Sequence, residues 1–166
     1  MKSGLQELAE CSKAPLSGPQ LRARALRLLA RREHSRAELQ RKLLSGEVDQ
    51  AALDAVLGDL ESRDLLSDRR YAEVTVHSKR ARYGIARIVQ TLSRQGVDAE
   101  LAAQVIQPLK SSERERALAL WQKRFGEPAA DLKGRARQHR FLLGRGFDPA
   151  TVAWVLKQAR NSQPET

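Results

Sequence analysis

The chain has 166 residues, 41% of them hydrophobic but only 4% aromatic, and 30 lysines and arginines oppose 20 acidic residues for a formal charge of +10. A single cysteine, Cys11, excludes an internal disulfide. No apolar run approaches 18 residues and no signal-peptide core opens the chain, so the expectation is a soluble, cytoplasmic protein whose charge seeks an anionic partner. A core built from Leu, Val, Ile and Ala, among many Arg, Glu and Gln, favours helix, and no window alternates as a half-buried strand would. The fold class expected is all-α.

In chain order, residues 1–19 read as an N-terminal extension, followed by three units at 20–67, 68–110 and 111–160 and a tail at 161–166. The first unit offers a stripe at Leu21, Ala25, Leu28 and Leu29. Ser35 and Glu38 then have the spacing of a capping box that starts a second helix, and a third carries Leu53, Val56, Leu57 and Leu60. The second unit places Tyr71, Val74 and Thr75, then Ile85, Ile88, Val89 and Leu92, then Leu101 and Val105 at helical spacing. In the third the sets are Leu118, Trp121 and Phe125, then Ala136, Leu142 and Leu143, then Val152, Val155 and Leu156. Pro108 and Gly126-Glu127-Pro128 supply stops.

A period ties these units together. Gly46, Gly96 and Gly146 are fifty residues apart, and each shortly precedes a hydrophobic residue and then Asp49, Asp98 or Asp148. The glycines suit a left-handed helix stop and the aspartates the N-cap of the next helix, with Pro149 at a first helical position. Three degenerate three-helix repeats result. Each is too small for a large core, so they are expected to stack into an elongated, curved arrangement.

The charge is uneven. Residues 20–46 hold eight basic and two acidic side chains, residues 74–146 fifteen and six, and residues 47–73 between them three and eight. Against this, catalytic signatures are missing: the histidines, His34, His77 and His139, have no metal-ligand spacing and read as surface or capping residues. No nucleotide or nucleophile motif occurs, so the chain reads as a non-enzyme with no metal site. Trp121, Trp154, Phe125, Phe141 and Phe147 fall near core spacing, which favours packing over base stacking. The candidate binding face is basic: Arg80, Arg82, Arg87 and Arg94 through the second unit's first two helices, and Arg135, Arg137, Arg140 and Arg145 through the third's. Guanidinium groups fork onto phosphate or carboxylate, so either DNA or an acidic protein groove would serve.

Three segments together resemble the RecX family of bacterial recombinase regulators. "REHSRAELQRKL" (32–43) is similar to its His-Ser-x-x-Glu-Leu-x-x-Lys-Leu signature. "LLSDRRYAE" (65–73), with Gly84 and "LSRQGV" (92–97), resembles its Asp-x-x-Tyr-Ala and Gly-Val/Ile elements. "RFLLGRGF" (140–147) is similar to its Arg-Phe-Leu-x-x-Arg-Gly-Phe motif. The resemblance spans about residues 21–160, and it departs at Val74-Thr75-Val76-His77, where other members are expected to carry an aromatic residue and an arginine. It implies three tandem three-helix repeats and binding along the groove of the RecA–DNA filament. It further implies inhibition of RecA's ATP hydrolysis, strand exchange and coprotease activity, with no catalytic site or cofactor and no need to dimerise. The residues alone also admit a free-standing DNA-binding protein of helix-turn-helix-like modules, gripping DNA mainly through phosphates, or a protein-interaction scaffold.

Overall fold

The computed structural model describes residues 16–44 and 48–161. Among them no strand forms, and the extended pairing is one isolated parallel bridge between Leu16 and Val48. The helices are α1 (Gly18–Leu29), α2 (Arg36–Leu43), α3 (Gln50–Ser62), α4 (Asp68–Lys79), α5 (Ile85–Arg94) and α6 (Ala99–Ile106). A 3₁₀ turn at Gln107–Leu109 leads to α7 (Glu113–Arg124), α8 (Leu132–Gly144) and α9 (Pro149–Asn161). The chain divides into two compact units, one up to Ser67 and one from Asp68 onward. The first holds α1–α3 and the second α4–α9.

Local chemistry sets the ends of these helices. Ser35 Oγ accepts from the Glu38 N–H at 3.1 Å, and Asp49 Oδ1 accepts from the Ala51 N–H at 3.0 Å. Asp98 Oδ1 accepts from Glu100 and Leu101, and Asp148 Oδ1 from Ala150 and Thr151, each using one carboxylate oxygen for two orphan donors. Thr151 adds its hydroxyl to the second Asp148 oxygen, and these bonds from Thr151 hold the Asp148 carboxyl below its usual range. Asp131, absent from the sequence reading, caps α8 through the Gly134 N–H at 2.7 Å.

At the other ends, Gly96 and Gly146 have φ of +75° and +84°. Each lies in a paired-bond stop: Val97 N–H to Leu92 O and Gly96 N–H to Ser93 O, then Phe147 N–H to Leu142 O and Gly146 N–H to Leu143 O. Helix α3 ends the same way without glycine, on Asp64 at φ +56°, with Leu65 bonded to Leu60 O and Asp64 to Glu61 O. Gly46 lies outside the described residues.

Three hydrophobic cores follow, one per three helices. The first packs Leu21, Ala25, Leu39, Leu43, Leu53, Leu57 and Leu60; the second, Tyr71, Ala72, Ile88, Leu92, Val97 and Ile106. The third gathers Ala117, Trp121, Leu142, Phe147, Val152 and Val155. Several expected faces shift by a residue. In α6, Ala102 and Ile106 are buried while Leu101 and Val105 only flank the core. In α4, Val74 is 55% exposed and Val76 is buried, so the departure at 74–77 still supplies an inward apolar side chain. In α8, Gln138 is buried with Leu142 whereas Leu143 is exposed, because the Gln138 amide donates to Glu127 O at 2.8 Å and secures the preceding turn.

Within the second unit, α8 ends against the start of α5 at van der Waals range of the bare backbone. A Cβ on Gly84 would stand 2.2 Å from Gly146 O, and one on Gly146 would stand 2.5 Å from Arg87 Cβ. The Gly84 N–H donates to Arg145 O at 3.0 Å across this contact. Neither glycine can gain a side chain without moving the backbone opposite it. Gly84→Ala is therefore expected to destabilise the second unit by about 2–4 kcal/mol, read as a lowered denaturant midpoint in the fluorescence of Trp121 and Trp154. Gly144→Ala, in open space inside α8, should leave that midpoint unchanged or raise stability by about 0.5–1 kcal/mol; equal midpoints for the two variants would contradict the account.

Candidate functional site

In the first unit, Arg22, Arg32, Arg36, Lys42 and Arg63 are paired with carboxylates of the same unit. Asp59 takes both Arg22 and Arg63, and Arg36 reaches Glu61 and Asp54. The carboxylates of α3 thus lie against arginines of α1 and α2 and neutralise part of the basic run. Glu38 gathers Arg32 and Lys42, the latter at 3.1 Å.

His34 belongs to this same group and is not a surface residue: it is 2% exposed. Its Nδ1 lies 2.9 Å from Arg32 O and its Nε2 3.1 Å from Lys42 Nζ. A carbonyl can only accept and an ammonium only donate, so the ring is the neutral tautomer with its proton on Nδ1. Burial lowers the His34 pKa below 6.5, with the neighbouring cations adding to the effect of desolvation and the Arg32 carbonyl and Glu38 opposing it. Burial alone would raise the Glu38 carboxyl, but hydrogen bonds from Arg32 and Lys42 hold it below its usual value.

In the second unit the pattern reverses. Among the described residues, Arg80, Arg82, Arg87, Arg94, Arg135, Arg137 and Arg140 have no carboxylate within ion-pair distance, and all are exposed. Their placement differs from a run along two helices. Arg80 and Arg82 lie in the α4–α5 connection, because α4 stops at Lys79. Arg87 and Arg94 share one face of α5, and Arg87 borders a shallow groove with Leu143, Gly144 and Gly146. Arg137 and Arg140 stand on α8, while Arg135 lines a separate small cleft with Gln138 and Arg160.

Arg145 is set apart from the others. Its guanidinium lies 5.5 Å from the Tyr83 ring and 5.1 Å from the Phe141 ring, so it is stacked into the junction between α5 and α8. One edge of the site was missed in the sequence. Arg116 of α7 donates to Arg80 O at 2.8 Å and Tyr83 O at 3.1 Å, closing the C-terminal end of α4. Glu113, one turn earlier, accepts from the Ile85 N–H at 2.8 Å and caps α5. Desolvation lowers the Arg116 pKa, with Arg80 adding to it and Glu113 opposing. Together these residues fix the α4–α5 turn onto α7.

Between that turn, α7 and α8 opens a cleft of about 540 Å³. Arg82, Arg116, Lys123, Arg124 and Arg145 supply its charge, and Ala81, Ala119, Leu120 and Phe141 its apolar lining. The structure thus brings Arg82 and Arg145 together and leaves Arg94, Arg135, Arg137 and Arg140 elsewhere. The signal for the α7 side was present: Arg116, Leu120, Lys123 and Arg124 have the i, i+4, i+7, i+8 spacing of one helix face.

Fold and site together define an all-helical protein of three-helix modules, with no group of His, Cys, Asp or Glu placed to hold a metal among the described residues. None of the described helices is long and apolar enough to cross a membrane. Models of the first, second and third RecX three-helix domains match residues 22–60, 67–106 and 112–156. The chain is 48% identical over 139 residues to a regulatory protein RecX of Leptothrix cholodnii, covering 84% of this chain and 88% of the relative. It is 46% identical over 145 residues to that of Ralstonia pickettii, covering 87% and 89%. A crystal structure of RecX from Lactobacillus salivarius superposes with a TM-score of 0.75 at 20% identity, over 87% of this chain and 97% of the other. The chain belongs to the RecX family of regulatory proteins.

The buried neutral His34 makes stability depend on pH. Because folding holds its pKa below 6.5, the unfolded chain takes up the proton first as the pH falls. The stabilisation is intact above pH 6.5 and is lost as the pH drops toward the lowered folded value, with a slope of at most about 1.4 kcal/mol per pH unit. Glu38, also lowered, adds a second loss below its usual 4.5. Denaturation followed by circular dichroism should show the first decline in the native chain and not in His34→Gln; an identical slope in both would contradict it.

Proposed function

We propose that this chain binds the RecA–DNA filament and inhibits RecA's ATP hydrolysis, strand exchange and coprotease activity, restraining recombination and the SOS response. The observation that carries this reading is the set of exposed arginines in the second unit without carboxylate partners, spread over the α4–α5 turn, α5 and α8. A guanidinium left without an internal partner keeps all its donors for an external phosphate or carboxylate. Several such contacts, each weak, multiply when successive copies of a target are held along one polymer. Arg80, Arg82, Arg87, Arg94, Arg137 and Arg140 are the contact residues, and Arg145 positions the turn that carries Arg82. DNA is met mainly through its phosphates, so the contact is weakly sequence-selective and falls steeply with salt. The chain acts as a cytoplasmic monomer without a cofactor.

The test compares binding to naked single- and double-stranded DNA, free RecA and RecA-coated DNA across a salt series, with filament ATPase as the second readout. Preference for coated DNA supports the regulator. Equal binding to bare duplex would replace it with a DNA-binding protein, and DNA-independent binding with a scaffold. Arg87→Glu/Arg94→Glu, checked for folding by circular dichroism, should weaken filament binding and ATPase inhibition at least tenfold. Unchanged inhibition in the folded variant would remove this helix face from the interface.

A further inference from the structure

We infer that the cleft between the α4–α5 turn, α7 and α8 is a docking site for a short acidic peptide segment carrying an apolar anchor side chain. Five cations line it and no carboxylate does. Of these, Arg82, Lys123 and Arg124 are exposed at the rim, while Arg116 and Arg145 are half-buried and fixed by carbonyls and rings. Charge alone would suit any anion; the lining narrows the choice. Leu120, Phe141, Ala81 and Ala119 give it an apolar floor, and about 540 Å³ holds several side-chain groups, more than one phosphate fills. A phosphodiester gains nothing from such a floor, whereas an aliphatic or aromatic side chain flanked by Asp and Glu satisfies floor and rim together.

Nucleobase stacking fits less well. Phe141, the ring among the lining residues, already has Arg145 at 5.1 Å and Phe125 edge-on at 5.3 Å. A base would have to displace one of them. The cleft is also preformed, since Arg116 and Glu113 hold the α4–α5 turn in place and the Gly84–Gly146 contact holds α8. A peptide entering it meets side chains whose ordering has already been achieved by folding. The inference rests on the filament reading only for the source of the segment, a protein partner; the chemistry of the cleft stands by itself.

Fluorescence anisotropy with the full chain tests this, using a fluorescein-labelled Glu-Asp-Leu-Phe-Asp-Glu peptide, the same peptide with Ala-Ala at its centre, and labelled hexathymidylate. The Leu-Phe peptide is expected to bind saturably, at least tenfold tighter than the Ala-Ala peptide and than hexathymidylate. Lys123→Glu/Arg124→Glu, which reverses the exposed rim, and Ala119→Trp, which fills the cleft without changing charge, should each weaken it at least tenfold. Circular dichroism identifies any variant that fails to fold, and the other then decides. Equal binding of the Ala-Ala peptide, equal or tighter binding of hexathymidylate, or folded variants with native affinity would overturn the assignment. Filament ATPase measured on the same variants separates the two readings: peptide binding without any inhibition by the native chain would count against the filament reading alone.

Discussion

The second unit is organised around a place where two backbones touch. Gly84 and Gly146 meet with no room for a Cβ on either, and the Gly84 N–H reaches Arg145 O across the contact. Because α8 ends there, the Arg145 guanidinium comes to lie within 5.5 Å of the Tyr83 ring and 5.1 Å of the Phe141 ring. From α7, Arg116 and Glu113 then satisfy the carbonyls and the N–H that the α4–α5 turn exposes. Two three-helix cores are thereby locked at one junction, and the cationic cleft is the surface this junction leaves open. Remove the close approach and the rim residues no longer converge.

Charge is distributed between the units by a different rule. The ion pairs of the first unit are partly exposed, and such pairs contribute only about 0–1 kcal/mol each. Their larger effect is on the field outside the molecule: Asp54, Asp59 and Glu61 cancel arginines that would otherwise attract anions. The second unit lacks that cancellation at its turn and along α5 and α8, so its arginines remain available to a partner. A net charge of +10 is thus not a uniform coat but a property concentrated where binding is proposed.

Local grammar made much of the fold legible. Gly96 and Gly146, each followed two residues on by an aspartate, encode a left-handed stop and then an N-cap, and both act within a few residues of chain. The three-helix composition followed from stripes such as Leu53, Val56, Leu57 and Leu60. What stayed hidden was non-local or off-type. Asp64 ends α3 in a glycine's conformation, Gln138 is buried with its amide bonded to the turn eleven residues earlier, and His34 is buried with its ring nitrogens on a carbonyl and a cation. The pairing of Arg22 with Asp59 spans 37 residues, so the two runs of opposite charge read as separate features until the fold joined them. For the site, Arg82 was visible as charge and the α7 face of Arg116, Leu120, Lys123 and Arg124 as spacing, but nothing local says that this face meets the α4–α5 turn.

The central claim is that the second unit, and not the first, presents the binding surface. Hydrogen exchange measured by mass spectrometry on the chain alone and on RecA-coated single-stranded DNA tests it directly. The account predicts added protection in the α4–α5 turn, the C-terminal half of α7 and α8, with α1 and α2 unchanged. Protection confined to α1–α3, with none in the second unit, would contradict it.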